Sequence, residues 1–195
     1  MKIPRPTDRR VLRTRAALRN ALVSLIVEVG WEAIGIRDVC QRAGVGRSTF
    51  YTHFADNEEL LLSGFDDLRR VLRNSRDPGR IFGFTRALLD HVEENKRMFR
   101  ALVGKRASQV AQRRMLQLVA DLMRDDLTTL LPPERLEPTV HYFAGALVEV
   151  IVWWVDSRNS TPRHELDGLF HQLTETALSS LDRPTAHSRS RKPVS

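Results

Sequence analysis

Between residues 46 and 54 the chain reads GRSTFYTHF, short polar and basic side chains set around two aromatic rings. Phe50 and Phe54 lie one helical turn apart, so burying both rings leaves Arg47, Ser48, Thr49, Thr52 and His53 for solvent or a ligand. A DNA major groove about 12 Å wide admits one helix, and its base edges call for Arg, Ser or Thr near that helix's N-terminus. Arg47, Ser48 and Thr49 occupy that place.

Such a helix needs a second one to hold it. Ile36, Val39, Cys40 and Ala43 fall at i, i+3, i+4 and i+7, one apolar stripe of a short helix. Gly44 then supplies a position that tolerates the left-handed conformation and ends it. Two short helices around a glycine turn, the second polar on its outer face, are the layout of a helix-turn-helix. Upstream, Leu18, Leu22, Leu25, Ile26 and Val29 repeat with helical period up to Gly30. Downstream, from about Asn57 to Asn74, Leu61, Phe65, Leu68 and Leu72 share one face.

From Gly30 onward, GWEAIGIRDVCQRAGVGRSTFYTHFADNEELL resembles the N-terminal DNA-binding domain of the tetracycline-repressor (TetR) family. The matching features are the G-x-x-A after the first helix, R-D-V and A-G-V around the turn, T-F-Y-x-H-F in the recognition helix and E-E-L-L opening the fourth. The resemblance implies an all-α protein of about nine helices. A three-helix DNA-binding domain is followed by a helical ligand-binding and dimerisation domain. It assigns phosphate contacts to Tyr51 and His53, with Arg37 reaching the backbone from the second helix. The candidate DNA-contacting set is Arg37, Gly46, Arg47, Ser48, Thr49, Tyr51, Thr52, His53 and Asn57. Arg47 and Thr49 are expected at base edges.

Two positions depart from the family pattern. Gly35 stands where a Thr or Ser usually caps the second helix and contacts a phosphate; glycine is a tolerated cap but has no side chain to donate. Asn57 stands where a phosphate-binding Lys is frequent, and it can hydrogen-bond a phosphate only without the charge. Weaker backbone anchoring is expected from both.

Charge is distributed in agreement with a DNA role. Residues 1 to 56 hold ten Lys or Arg against five Asp or Glu, net +5; residues 57 to 182 hold 17 against 19, net −2; residues 183 to 195 hold four against none, net +4. A polyanion-binding excess is thus confined to the N-terminal domain and the tail. The 195 residues, 42% hydrophobic, suffice for one or two compact units. The single cysteine, Cys40, excludes an intramolecular disulfide and fits a reducing cytoplasm, with its thiol packed in the core. The N-terminus KIPRPTDRR leads into an amphipathic stretch, with none of the apolar run of a signal peptide.

The expected organisation is a flexible basic arm (1–8), a DNA-binding domain (9–56), a connecting helix (57–74), a regulatory and dimerisation domain (75–182) and a disordered basic tail (183–195). Pro78 and Gly79 mark the boundary after the connecting helix. Beyond it the apolar periodicity stays helical, and Leu131, Pro132 and Pro133 separate two long helices. The most apolar run, YFAGALVEVIVWWV at 142–155, is shorter than the roughly 20 residues that span a bilayer, so no membrane partner is expected. A helix apolar nearly all round must be covered on both sides. The family dimerises through its last two long helices, which places a homodimer interface on residues 137–157 and 163–181. A two-fold dimer would present two recognition helices to a near-palindromic double-stranded operator.

TetR-like proteins usually hold a small-molecule effector among the C-terminal helices, and binding there shifts the dimer away from its DNA-bound state. Candidate pocket residues are Phe84, Leu88, His91, Phe99, Met123, Tyr142, Phe143 and Trp153, with His91 and Tyr142 as polar groups. The six histidines form no i, i+4 pair and lie near no carboxylate cluster of zinc spacing, so no metal is expected. No phosphate loop or nucleophile elbow occurs, so neither a catalytic residue nor a cofactor is expected. The sequence points to a transcriptional regulator, a repressor in the simplest case. Two other readings stay open: a helical protein-interaction adaptor, and a DNA-binding regulator controlled by a protein partner. A closed apolar cavity in the C-terminal domain, as opposed to a packed core, would separate small-molecule control from the latter.

Overall fold

A computed structural model describes residues 6–104, 109–156 and 161–181, with side chains from residue 9 onward. The tail 183–195 and residue 157 of the expected interface lie outside the described residues. Among those described are nine α-helices and no strand: α1 (Pro6–Val29), α2 (Ile36–Ala43), α3 (Arg47–His53), α4 (Asn57–Asn74), α5 (Thr85–Glu94), α6 (Lys96–Val103), α7 (Gln109–Leu127), α8 (Pro133–Asp156) and α9 (Arg163–Leu181). A single 3-10 turn, Trp31–Ala33, follows α1.

α1 is described from Pro6 onward, so residues 6–8 of the expected arm are helical. Arg9 and Arg10 therefore sit on the first turns of a helix.

The interior is one cluster of buried apolar side chains running from Leu18 on α1 to Phe170 on α9. α1 packs on α2, α4 and α6; α4 in turn lies along α7, and α7 along α8. Ion pairs reinforce the α4–α7 seam: Arg73 with Asp125 at 3.0 Å, Arg76 with Asp126 at 2.8 Å, Arg114 with Asp66 at 2.9 Å, and Arg69 with Asp121. Half-exposed pairs of this kind contribute little singly, but four in a row fix the register of one helix on the other.

The turn before α5 carries the one non-glycine residue with positive φ among those described, Phe82 at +52°. Its ring is buried between Phe143 of α8 and Phe170 of α9, at centroid distances of 5.7 and 6.4 Å. Its N–H donates to Asp126 at 2.9 Å. This packing offsets a backbone cost of about 1–3 kcal/mol. Beside it, Asp167 accepts from Arg80 at 2.7 Å and from the Thr85 hydroxyl at 2.6 Å, tying the same turn to α9.

With 24 residues, α8 is long and apolar enough to cross a bilayer by length and composition, which the 14-residue apolar run understates. Its inner face, including Val140, Phe143, Ala144, Leu147, Ile151 and Trp154, is buried against the rest of the protein.

Candidate nucleic-acid interface

α2 buries Val39 and Cys40 and stops at Gly44, whose φ of +66° and ψ of 33° are left-handed. The chain turns there with Val45 N–H on the Cys40 carbonyl at 3.0 Å and Gly44 N–H on Gln41 at 3.3 Å, the hydrogen-bonded closure that a glycine end permits. α3 then starts at Arg47 behind Gly46 as N-cap. Phe50 and Phe54 are buried and pack on each other at 6.1 Å, which fixes the rotation of this seven-residue helix.

That rotation leaves Arg47, Ser48, Tyr51 and Thr52 exposed and Thr49 and His53 half-buried. Arg37, at the start of α2, is exposed too. No ion pair ties up Arg37 or Arg47 among the described residues, so both guanidinium groups face solvent without an acidic partner. The Thr52 hydroxyl donates to the Ser48 carbonyl at 2.9 Å, leaving its oxygen as an acceptor.

Two contributors lie outside the helix-turn-helix segment. Arg10, Val11 and Thr14 of α1 form a shallow groove with Ser48, Thr49, Thr52 and His53 of α3. Arg15, one turn further, donates to the His53 carbonyl at 3.4 Å and stacks 4.4 Å above the Phe54 ring. Arg10 was legible in the sequence as a candidate for nonspecific phosphate contact from the basic N-terminal arm, whereas Arg15 was not singled out.

Asn57 is held by a hydrogen bond within the protein. Its amide donates to the Ile34 carbonyl at 3.0 Å, and its own carbonyl oxygen is buried without a hydrogen-bond partner among the described residues. It is flanked by Asp56, which caps α4 by accepting from Glu59 N–H at 2.8 Å, and by Glu58 and Glu59. The amide thus joins the start of α4 to Ile34, just after the Trp31–Ala33 turn. Gly35 caps α2 as a bare backbone, its N–H donating to Asp38 at 2.9 Å.

The expected effector residues do not converge. Phe84, Leu88, Met123 and Phe143 are packed in the core, while Tyr142 and Trp153 are on the surface, 68% and 42% exposed. Only His91 and Phe99 reach a common cavity, of about 360 Å³, and it lies between α1, α4, α5 and α6. In sequence, an apolar residue at helical spacing reads the same whether its neighbour is a side chain or a void. Among the described residues no group of three or more His, Cys, Asp or Glu is placed to hold a metal.

Residues 18–63 match the family model described as bacterial regulatory proteins, tetR family. Residues 80–176 match a second, described as transcriptional regulator C-terminal region. The chain belongs to the TetR family. It is a DNA-binding transcriptional regulator of the helix-turn-helix type. Over 55 residues it is 44% identical to the uncharacterised HTH-type transcriptional regulator YxbF of Bacillus subtilis, 28% of this chain and 14% of that protein. An uncharacterised HTH-type regulator of Haemophilus influenzae is 35% identical over 69 residues, 33% of this chain and 34% of that protein. The chain thus spans well under half the length of these curated relatives. In fold it is similar to a TetR transcriptional regulator from Streptococcus agalactiae, at 24% identity and a TM-score of 0.67, covering 86% of this chain and 96% of the other. A second similar structure is NalD of Pseudomonas aeruginosa, the secondary repressor of the MexAB-OprM efflux pump, at 18% identity and a TM-score of 0.61, covering 87% and 96%.

Proposed function

We propose that this TetR-family chain is a homodimeric repressor that holds a near-palindromic operator in the cytoplasm and is released from it by a small molecule. The observation that carries the DNA assignment is the acid-free face of Arg47 and Ser48, both exposed, and half-buried Thr49, on a helix anchored by two buried rings. Arg47 and Thr49 read base edges, and Tyr51, His53 and Arg37 hold phosphates, with Gly46, Ser48 and Thr52 lining the contact. Arg10 and Thr14 extend the backbone contact along α1. The organisation that supports this is a recognition unit through residue 56, a connecting helix over 57–74 and a regulatory unit over 75–182.

Dimerisation is supported by α8 and α9. Tyr142 and Trp153 on α8 and Leu169 and Leu173 on α9 leave large apolar side chains in solvent, which a second copy would cover. A two-fold axis there sets the spacing of two recognition helices, and the operator's symmetry follows from it.

Control by a protein partner is favoured by one observation, the solid packing around Leu88, Met123 and Phe143. Small-molecule control is supported by the cavity against α1 and α4. Selection of bound duplexes from a random DNA pool tests the proposal: an enriched two-fold sequence is expected, and enrichment of none would overturn it.

A further inference from the structure

The cavity between α1, α4, α5 and α6 has the makings of a built site. Its walls are apolar, with Leu22 and Val23 from α1, Phe65 from α4 and Phe99 and Leu102 from α6. Its volume of about 360 Å³ is that of a small-ligand pocket. Gly64 stands in its wall, in the middle of α4, where a Cβ would meet nothing within 4 Å. A glycine inside a helix costs about 1 kcal/mol relative to alanine. Here that cost serves neither a turn nor a close backbone approach; its one structural effect is to leave the cavity open.

The polar groups are few and specific. His91 and Asn95 stand together, the His91 ring edge-on to Phe99 at 5.6 Å and Asn95 donating to the His91 carbonyl at 2.9 Å. Burial lowers the His91 pKa, against the opposing charge of Glu94. Arg19 and Asp67 form an ion pair that joins α1 to α4, and Asp67 also holds Arg70 at 2.9 Å. An ionised ligand would be desolvated without finding a free counter-charge, whereas an aromatic ring with one hydroxyl finds apolar walls and an imidazole.

We propose that this cavity binds an uncharged aromatic alcohol or a compound of that class, and that its occupancy is read out through α1. The inference rests on the small-molecule control proposed above and adds its place and chemistry. The coupling is short. Arg19, beside the cavity, and Arg15, which holds the C-terminal end of the recognition helix, are one turn apart on the same helix. A ligand that parts α1 from α4 strains the Arg19–Asp67 pair and moves the groups that hold α3.

The test uses the full chain and 2-naphthol, uncharged at neutral pH and fluorescent, with 2-naphthoate as the anionic counterpart. Wild type should take up one 2-naphthol per chain and bind 2-naphthoate at least tenfold more weakly. Gly64→Leu, which fills the void from α4, and Val23→Trp, which fills it from α1, should each weaken 2-naphthol at least tenfold while both proteins keep their helical melting transition. His91→Phe should weaken 2-naphthol several-fold and leave naphthalene unchanged. Absence of saturable 2-naphthol binding would overturn the proposal, as would equal affinity in wild type and in whichever filling variant is folded, or tighter binding of 2-naphthoate. DNA affinity is measured separately on duplexes selected by the protein. Binding lost on filling the cavity, with no effect of 2-naphthol on wild-type DNA affinity, keeps the site and overturns small-molecule release.

Discussion

The guanidinium of Arg15 lies 4.4 Å above the ring of Phe54, and its Nη1 faces the carbonyl of His53, the last residue of the recognition helix. A cation at a helix C-terminus meets the negative end of the dipole, and stacked on an aromatic face it is worth about 0.5–1 kcal/mol more. Arg15 thus holds the C-terminal end of α3 in place. Arg15→Ala should lower stability by about 1 kcal/mol and weaken selected and random DNA by similar factors. Arg15→Lys should recover little, because the planar stack is lost. Thermal melts and DNA titrations of the two variants check this, and an unchanged melting point would contradict it.

Asn57 and Gly35 are the two departures from the family pattern, and they separate in function. Asn57→Ala should reduce stability by about 1 kcal/mol through loss of the Ile34 hydrogen bond while leaving the salt dependence of DNA binding unchanged. A reduced salt slope would instead make Asn57 a phosphate ligand. Gly35 has an ordinary extended φ of −90°, and an added Cβ would meet only the movable Asp38 carboxylate at 3.2 Å. Gly35→Ser should therefore be tolerated, gain a few tenths of a kcal/mol as a helix cap and tighten all DNA alike through a new hydroxyl. Urea melts and titrations on selected and random duplexes read both effects.

The apolar residues left outside on α9 predict the assembly. Leu169→Glu with Leu173→Glu should convert a dimer to monomers in sedimentation equilibrium, and operator affinity should fall with it, since two half-sites would no longer be held at fixed spacing. A dimer that survives the double substitution would place the interface elsewhere.

The α4–α7 seam should titrate in acid. Burial raises the Asp121 carboxyl, but hydrogen bonds from Gln117, Arg124 and Arg69 and the charge of Arg69 outweigh it and hold the pKa below the usual 3.8. A folded value below the unfolded one stabilises the protein above about pH 3.8, and this contribution is lost as the pH falls further. Arg69→Gln should therefore be less stable at pH 7 and lose less on going from pH 4 to about pH 3. Asp126 has the opposite sign: burial raises its carboxyl in spite of Arg76 and the Phe82 N–H, so its contribution is present below about pH 3.8 and is lost as the pH rises above it. Urea denaturation at stepped pH separates the two.

Local pattern made the recognition unit legible in the sequence. The apolar stripe of α2, Gly44 and the Phe50–Phe54 spacing each constrain a neighbour within a turn, and each reappears as a buried side chain or a left-handed residue. The long helices α7 and α8, separated at Leu131–Pro133, were legible for the same reason. The cavity was not. Its walls come from four helices distant in sequence, and the residue that opens it, Gly64, is a lone glycine in an otherwise regular helix. Tyr142 and Phe143 show the limit from the other side: they are adjacent in an apolar run, yet one is in solvent and the other in the core. Only packing across helices distinguishes them.

The most direct test of DNA reading by α3 compares wild type with Arg47→Ala on a duplex selected by the protein and on random DNA. A base-reading arginine should lose about 1–3 kcal/mol on the selected duplex and much less on random DNA, so the specificity ratio collapses. Tyr51→Phe, as the phosphate control, should weaken both alike. Equal loss on the two duplexes for Arg47→Ala would contradict base contact by this face of α3.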